Sequence, residues 1–218
     1  MISLPLLQGV PQDEVERVIA AARPRRFVKG EVVFHEEDHG DTLHIIVKGR
    51  FAVRVTTPYG DVATLVVLDK GNVFGEMALL EADAIRGATV VALEPAETLS
   101  IRHADFDDLR RVHPQVTEVL LSILAHTVRR LTRHLVEALY IPAEVRVIRR
   151  LLELAEVYGL GHDNPTIPLG QEDLGGLAGT SRATVNRVLR KEEERGTVSL
   201  KRGRTTILDR SALEQRAR

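Results

Sequence analysis

This chain of 218 residues contains no cysteine. That excludes disulfides, a thiolate nucleophile and any cysteine-ligated zinc or iron–sulfur centre. It also lacks an apolar run approaching the roughly 18 residues a membrane helix needs, and its opening, Met1 to Gln8, turns polar too soon for a secretory signal. The sequence therefore reads as a cytoplasmic protein of one large or two modest domains, with no membrane partner. Its eight histidines, at 35, 39, 44, 103, 113, 126, 134 and 162, form no ligand constellation for haem or a metal. His35 and His39 are four apart, but no His-x-His with a following carboxylate accompanies them, so a cupin-like metal enzyme is a distant alternative and no catalytic residue is assigned.

Nor is there an overall positive charge, since 30 Lys/Arg face 31 Asp/Glu. The balance is uneven along the chain. Residues 1–141 carry 16 basic against 20 acidic side chains, and residues 142–218 carry 14 against 11. The net of +3 falls in the part that holds the most informative stretch, Gly170 to Arg190. Leu174 and Leu177 give one apolar helix face, and Val185, Val188 and Leu189 give a second. Between them lies a Gly-Thr-Ser turn, with Ser181 where an N-cap belongs. Arg182, Asn186, Arg187 and Arg190 then project from the opposite side. This is the layout of a helix-turn-helix whose second helix enters a DNA major groove; an αα-hairpin with a charged outer face is the alternative. Downstream, Val198–Leu200 and Thr205–Leu208 flank a basic tip, Lys201 to Arg204, and together read as the hairpin of a winged helix, placed for phosphate contacts. The DNA-facing candidates are Gln171, Thr180, Ser181, Arg182, Ala183, Thr184, Asn186, Arg187, Lys191, Arg202 and Arg204.

The first half has a different grain. Short β-rich runs, 31–35, 43–47, 50–56, 62–68, 88–93 and 97–102, are separated by turn signals at Lys48-Gly49, Pro58 to Asp61 and Lys70 to Asn72. That spacing predicts an antiparallel sandwich or barrel, and Phe51 to Val55 alternates as a strand with one wet face. Residues 12–22 read as a short amphipathic helix through Val15, Val18 and Ile19. From Asp105 the period becomes helical. A short helix runs to Val112, and then residues 115–139 continue without Gly or Pro, far beyond an average helix. Leu120, Leu124, Leu131, Leu135 and Ala138 form one stripe, and Val116, Val119 and Ile123 a neighbouring one. Two apolar faces imply two partners, the chain's own barrel and the same helix of a second subunit; a single buried core helix is the alternative. Pro142 breaks the pattern, and residues 143–158 resume it. Three segments follow: a β effector domain at 1–113, a dimerisation helix and hinge at 114–141, and a winged domain at 142–218. The fold class is α+β.

One barrel segment breaks strand alternation. From Asn72 to Thr89, Gly75 precedes Glu76-Met77-Ala78-Leu79-Leu80, a predicted short helix whose amides, with the Arg86 fork, suit a phosphate. Glu76 is placed to accept from a sugar hydroxyl. Read from spacing alone, an exposed Glu and Arg in a loop, or a surface ion pair worth little, is the favoured explanation of the segment.

Taken together, Gly30-Glu-Val-Val-Phe34, Leu43 to Gly49, Phe74 to Leu80, Arg86, the long helix and Ser181 to Arg187 resemble the cyclic-AMP receptor protein/FNR family of bacterial transcription regulators, over essentially the whole length. The resemblance implies an antiparallel β-roll that binds a cyclic nucleotide (cAMP or cGMP), a homodimer, double-stranded DNA as target, RNA polymerase as a possible further partner, and no metal. It makes Gly75 and Glu76 the ribose-binding pair and Arg86 the phosphate-binding arginine, with Met77, Ala78, Gly87 and Ala88 around them. It also brings Leu131 and Thr132 of the long helix to the purine, and makes Arg182 and Arg187 readers of guanine and of a base or phosphate.

The departures from the family pattern carry expectations of their own. Gly87 stands where nucleotide-binding members carry Ser or Thr. Leu131 gives the purine edge no hydrogen bond, and Glu37 holds a turn position usually glycine. A weaker or altered nucleotide preference follows, and a ligand-independent relative, or one using another effector, is the alternative. Ala183 stands where Glu often accepts from cytosine, so base selection at that step is expected to relax. Glu192 and Thr197 stand where the helical pattern and the family favour leucine. An ionised Glu there is costly, so that helix end is expected to be looser or to face a partner.

Overall fold

The computed structural model describes residues 16, 19, 20, 22–57, 60–80, 84–159 and 164–218. The chain divides into two compact units, Met1–Val55 with Leu68–Arg130, and Thr56–Val67 with Leu131–Arg218. Residues 16, 19 and 20 are helical; Val15 and Val18 of the expected first helix lie outside the described residues, as do Pro58 and Tyr59 of one expected turn.

Among the described residues, the first part of the chain has eight strands: β1 (Arg23–Phe27), β2 (Val32–Phe34), β3 (Thr42–Lys48), β4 (Phe51–Thr56), β5 (Val62–Leu68), β6 (Val73–Phe74), β7 (Thr89–Ala92) and β8 (Ala96–Arg102). They form two four-stranded sheets, ordered β1-β8-β3-β6 and β2-β7-β4-β5. The registered pairs are antiparallel, for instance His44 opposite Ser100 and Ala52 opposite Val91. β1 is an edge strand whose Arg23, Pro24, Arg25 and Arg26 are all exposed. An edge is where a strand tolerates proline, and a run with no buried partner at alternate positions hides its strand character. β4 departs from the expected alternation, because Phe51 and Ala52 are both fully buried: both faces of its start are covered.

Two apolar clusters hold this unit. One joins Leu43, Ile45, Leu79, Ile101, Phe106, Val116 and Leu120. The other joins Phe27, Ile46, Phe51, Phe74, Val90 and Ala92, with Phe34 packed against it. Of the chain's five phenylalanines, four therefore lie in one place.

Helix α1 (His103–Val112) leads into α2 (Gln115–Tyr140). On α2, Val116 and Leu120 are buried in the first cluster and Leu124 packs against it, whereas Leu131 and Leu135 are exposed. The expected stripe is thus one helix face, covered in its first half and bare in its second. The side chains of Val119 and Ile123 lie outside the described residues. No described helix is long and apolar enough to cross a membrane.

In the second unit, Pro142 caps α3 (Ala143–Tyr158), as proline suits the start of a helix, and α3 buries Val147, Ile148, Leu151, Leu154 and Ala155. β9 (Thr166–Ile167) precedes α4 (Gln171–Ala178) and α5 (Arg182–Glu194). β10 (Val198–Lys201) and β11 (Arg204–Ile207) form a hairpin that β9 extends in the order β10-β11-β9, and α6 (Arg210–Arg216) follows, capped by the Asp209 carboxylate accepting from the Ala212 amide at 2.9 Å. α4 carries two successive glycines in its interior, each against backbone. A Cβ on Gly175 would lie 2.8 Å from the Thr180 carbonyl oxygen, and one on Gly176 would lie 2.5 Å from the Thr64 amide nitrogen. Thr64, in the same unit, is buried and donates to Asp173 Oδ1 at 3.0 Å.

Candidate functional sites

In the β-roll the sites are built around Arg86. Its side chain is 6% exposed. Nη2 donates to Thr42 Oγ1 at 2.9 Å and Nη1 to the Gly75 carbonyl at 3.3 Å, while Cζ lies 4.0 Å from the centre of the Phe34 ring. Among the described residues Nε, which is buried, has no hydrogen-bond partner. Burial pulls the pKa of Arg86 below its ordinary value, opposed by the charges of Asp41, Asp38 and Glu76; a guanidinium remains a cation regardless. A buried cation with an unspent donor is a costly arrangement that an anion would relieve.

Gly75 has φ 80°, and a Cβ there would sit 2.6 Å from Arg86 Nη1 and 2.7 Å from the Thr42 carbonyl oxygen. Only glycine combines that dihedral with that approach. The segment expected to be a short helix is a single 3-10 turn, Glu76–Leu79: Gly75 reverses the chain and leaves room for one tight turn. Glu76 is half-buried, and burial pushes its carboxyl up against the pull of its own backbone amide, Arg130 and Arg86. Met77 is exposed, Ala88 half-buried, and the Ala78 side chain lies outside the described residues. Gly87 is exposed, and a Cβ there would meet nothing within 4 Å. Leu131 and Thr132 are exposed residues of α2 in the second unit, whereas Arg86 belongs to the first. Glu37, in the turn position usually glycine, has φ 70°; its amide donates to the Arg86 carbonyl at 2.8 Å and the Arg86 amide donates to the Asp38 carbonyl at 2.8 Å.

Below this site, His44 is buried. It stacks on Phe74 at 4.9 Å with rings 6° from parallel, and its Nδ1 lies 3.0 Å from Thr98 Oγ1. Burial, then the charges of Arg86 and Arg25, lower its pKa to about 4, so it is neutral at pH 7.

The second site is the surface of α4, α5 and the hairpin. α4 ends on Gly179 in the left-handed conformation at φ 58°. Ser181 caps α5, its Oγ accepting from the Thr184 amide at 3.2 Å and lying 3.1 Å from the Thr184 hydroxyl. These two hydroxyls serve each other, and the Thr180 amide is bound to the Gly175 carbonyl at 2.9 Å. Val185, Val188 and Leu189 are buried; Arg182, Ala183, Asn186, Arg187 and Lys191 are exposed. Asn186 donates to Gln171 Oε1 at 3.1 Å. Arg187 pairs with Glu144 Oε1 at 2.8 Å and Lys191 approaches the same carboxylate at 3.9 Å. Exposed pairs of this kind are weak, so a phosphate or base would displace Glu144 readily. Arg202 and Arg204 are exposed at the hairpin tip, around Gly203.

Glu192 is buried and held by three side-chain donors, which corrects the expectation of a loose helix end or a partner-facing site. Thr197 Oγ1 donates to it at 2.7 Å and Arg195 Nη1 at 2.8 Å, and Arg216 Nη2 closes the set. Burial raises its carboxyl, but the bonds from Thr197 and Arg195 and the charge and bond of Arg216 outweigh it, and the net pKa lies below the usual value. Arg216 comes from α6, which the sequence pattern did not announce. A comparable group ties the end of α2 to α3: buried Glu137 holds Arg149 at 2.9 Å and also Arg150, which reaches Glu153 and His134. Beyond the i,i+3 pairs Glu192–Arg195 and Arg150–Glu153, neither network has a signature in residue spacing.

Residues 24–113 match the cyclic nucleotide-binding domain, and residues 145–216 match the Crp-like helix-turn-helix domain. The chain is 33% identical to the cyclic AMP receptor protein of Thermus thermophilus, over 97% of this chain and 95% of that one. It is 30% identical to a CRP-like cAMP-activated global transcriptional regulator of Mycobacterium tuberculosis, over 98% and 96%. Among solved structures, the Thermus thermophilus catabolite activator protein aligns over 98% of both chains with a TM-score of 0.58 and 33% identity. The c-di-GMP responsive global regulator of Xanthomonas campestris shares the fold with a TM-score of 0.77 at 21% identity, over 91% and 99%.

Proposed function

Because the chain belongs to the cyclic AMP receptor protein/FNR family of transcription regulators, which are not enzymes, we propose that it is a cytoplasmic homodimer that reads DNA under the control of a cyclic nucleotide. The observation that carries the gating reading is Arg86, a buried cation with a free Nε beside the Gly75–Glu76 turn. In this reading Arg86 holds the cyclic phosphate, Gly75 and Glu76 the ribose, Met77, Ala78, Gly87 and Ala88 line the site, and Leu131 and Thr132 meet the base. The relatives whose names include cAMP activation support cAMP as the first ligand to try.

The homodimer reading rests on the second half of α2, where Leu131, Leu135, Val136 and Leu139 are about half or more exposed, an apolar face that a second copy would cover. The functional segments are 1–113, 114–141 and 142–218. Arg182 and Arg187 read one guanine step and a neighbouring base or phosphate in each half-site. Gln171, Thr180, Ser181, Thr184, Asn186, Lys191, Arg202 and Arg204 support them, and Ala183 leaves one step unread. Ligand shifts the population of dimers whose half-site spacing fits one duplex turn. RNA polymerase is the further partner this reading carries.

A second reading, a pocket that prefers another effector or none, is favoured by Gly87, which offers no hydroxyl where a Cβ would meet open space. Calorimetric titration with cAMP and cGMP of the intact protein and of Arg86→Leu separates the two. Micromolar binding that Arg86→Leu abolishes is expected. Silence with both ligands, or binding that survives Arg86→Leu, overturns the gating reading and leaves the DNA reading standing.

A further inference from the structure

Apart from the Gly75 carbonyl, the contacts that fix Arg86 come from a short piece of chain that none of the expected nucleotide-site residues occupies. Phe34 ends β2 and presents its ring 4.0 Å from the guanidinium carbon. Thr42 opens β3 and accepts from Nη2 at 2.9 Å. Between them, Gly40 lies so close that a Cβ would stand 2.5 Å from Arg86 Nε. The same piece holds the arginine's backbone, through the Glu37 amide to the Arg86 carbonyl and the Arg86 amide to the Asp38 carbonyl, and the Gly40 amide donates to the carbonyl of Ala84, two residues before it, at 2.9 Å.

Phe34 is itself held. Its ring meets Phe74 at 5.8 Å and His44 at 6.3 Å, within the cluster that takes four of the five phenylalanines. The ring under the guanidinium is therefore packed into that aromatic cluster.

An arginine is a long, rotamer-rich side chain, and an anion that meets it disordered must bear the cost of ordering it. A ring face that attracts the cation and a hydroxyl that fixes one edge of the fork remove that cost before the ligand arrives. We infer that Phe34 and Thr42 are positioning residues of the effector site, holding the Arg86 fork in the orientation that receives an anionic phosphodiester. This rests on the reading of the β-roll as a cyclic-nucleotide site.

The test uses the intact protein, cAMP by calorimetry, and the proton and nitrogen resonances of the Arg86 guanidinium in the ligand-free state. Phe34→Leu removes the ring current and is expected to erase the upfield shift of Arg86 Hε and to weaken cAMP about five- to tenfold. Phe34→Tyr keeps a ring and is expected to retain the shift and bind within about twofold of the parent. Thr42→Val is expected to weaken binding about three- to tenfold, with Thr42→Ser restoring it. If the parent binds neither cAMP nor cGMP, the reading of the site fails and takes this inference with it. If the parent binds cAMP and Phe34→Leu binds it equally well with the shift erased, the inference alone is overturned. Should Phe34→Leu not fold, the Thr42 pair decides: Val weak and Ser restored supports positioning, and both equal to the parent overturns it.

Discussion

Replacing Glu192 tests whether its network holds the wing and the last helix to α5. The carboxylate side chain is 2% exposed, but only one layer covers it, because Arg195 and Arg216 are 42% and 31% exposed. Glutamine is isosteric. It can still accept from the Thr197 hydroxyl, but its amide donates where an arginine donates, and the charge is gone. Charge-assisted bonds exceed neutral ones by about 1 kcal/mol each. With both arginines able to regain water, Glu192→Gln is expected to cost about 2 kcal/mol, below the roughly 3–5 kcal/mol of breaking a fully enclosed pair. Leucine exchanges the ion for apolar burial of about 2 kcal/mol, so Glu192→Leu is expected within about 1 kcal/mol of the parent.

Hydrogen exchange in the intact protein reads this locally. The Thr197 amide binds the Glu192 carbonyl and the Leu208 amide binds the Thr197 carbonyl at 2.8 Å. A loss of about 2 kcal/mol speeds the exchange of these amides about thirtyfold if they open with the unit. The folded carboxyl titrates below its ordinary 4.5, so its stabilisation is present above that value and is lost as pH falls through the lower folded value. The Gln and Leu variants should lack that acid-side loss. Glutamine exchanging like the parent, or leucine costing more than glutamine, would refute the reasoning.

Three further outcomes are expected. His44 titrates at about 4 when folded against 6.5 when free, so between those values the unfolded chain takes up a proton that the fold refuses. The roll should lose up to roughly 3 kcal/mol as pH falls through that window, and His44→Phe should flatten the dependence; acid melts unchanged by that variant would refute it. Gly87→Ser adds a hydroxyl beside Arg86 in open space and is expected to tighten cAMP at least about tenfold by calorimetry; an unchanged constant removes the hydroxyl from the account. Ala183→Glu, on the exposed face of α5, should add about 1–3 kcal/mol of selection for cytosine next to the guanine step, which binding-site selection would reveal as a newly fixed base.

The elements legible in the sequence were those with local chemistry. Pro142, the Gly179-Thr180-Ser181 corner and the Gly203 tip mark their own turns, and residues 143–158 form a helix with those bounds. β1 and β6 were missed. β1 shows solvent four successive residues, and β6 is two residues long, so neither carries a readable period. Arg86 and Gly75 stood out through resemblance, and Phe34 within the resembling Gly30–Phe34 stretch, but the approach of Phe34, Gly40 and Thr42 to Arg86 did not, because a contact across 44 to 52 positions has no spacing to read. Glu192 stood out as an anomaly. Its resolution lay in Arg216, 24 residues on, in a helix the pattern had not marked.

The glycine pair inside α4 sets a limit on improving this protein. Exchanging an interior helical glycine for alanine is among the surest ways to raise thermal resistance, worth about 1 kcal/mol on an exposed helix. Here a methyl group at Gly175 would strike the Thr180 carbonyl oxygen and one at Gly176 the Thr64 amide. Engineering by helix propensity would select both positions first, and both would work against it. The helix that leads into the reading head keeps its low intrinsic stability as a condition of fitting its neighbours, so heat-resistant versions of this chain will have to be sought elsewhere in the sequence.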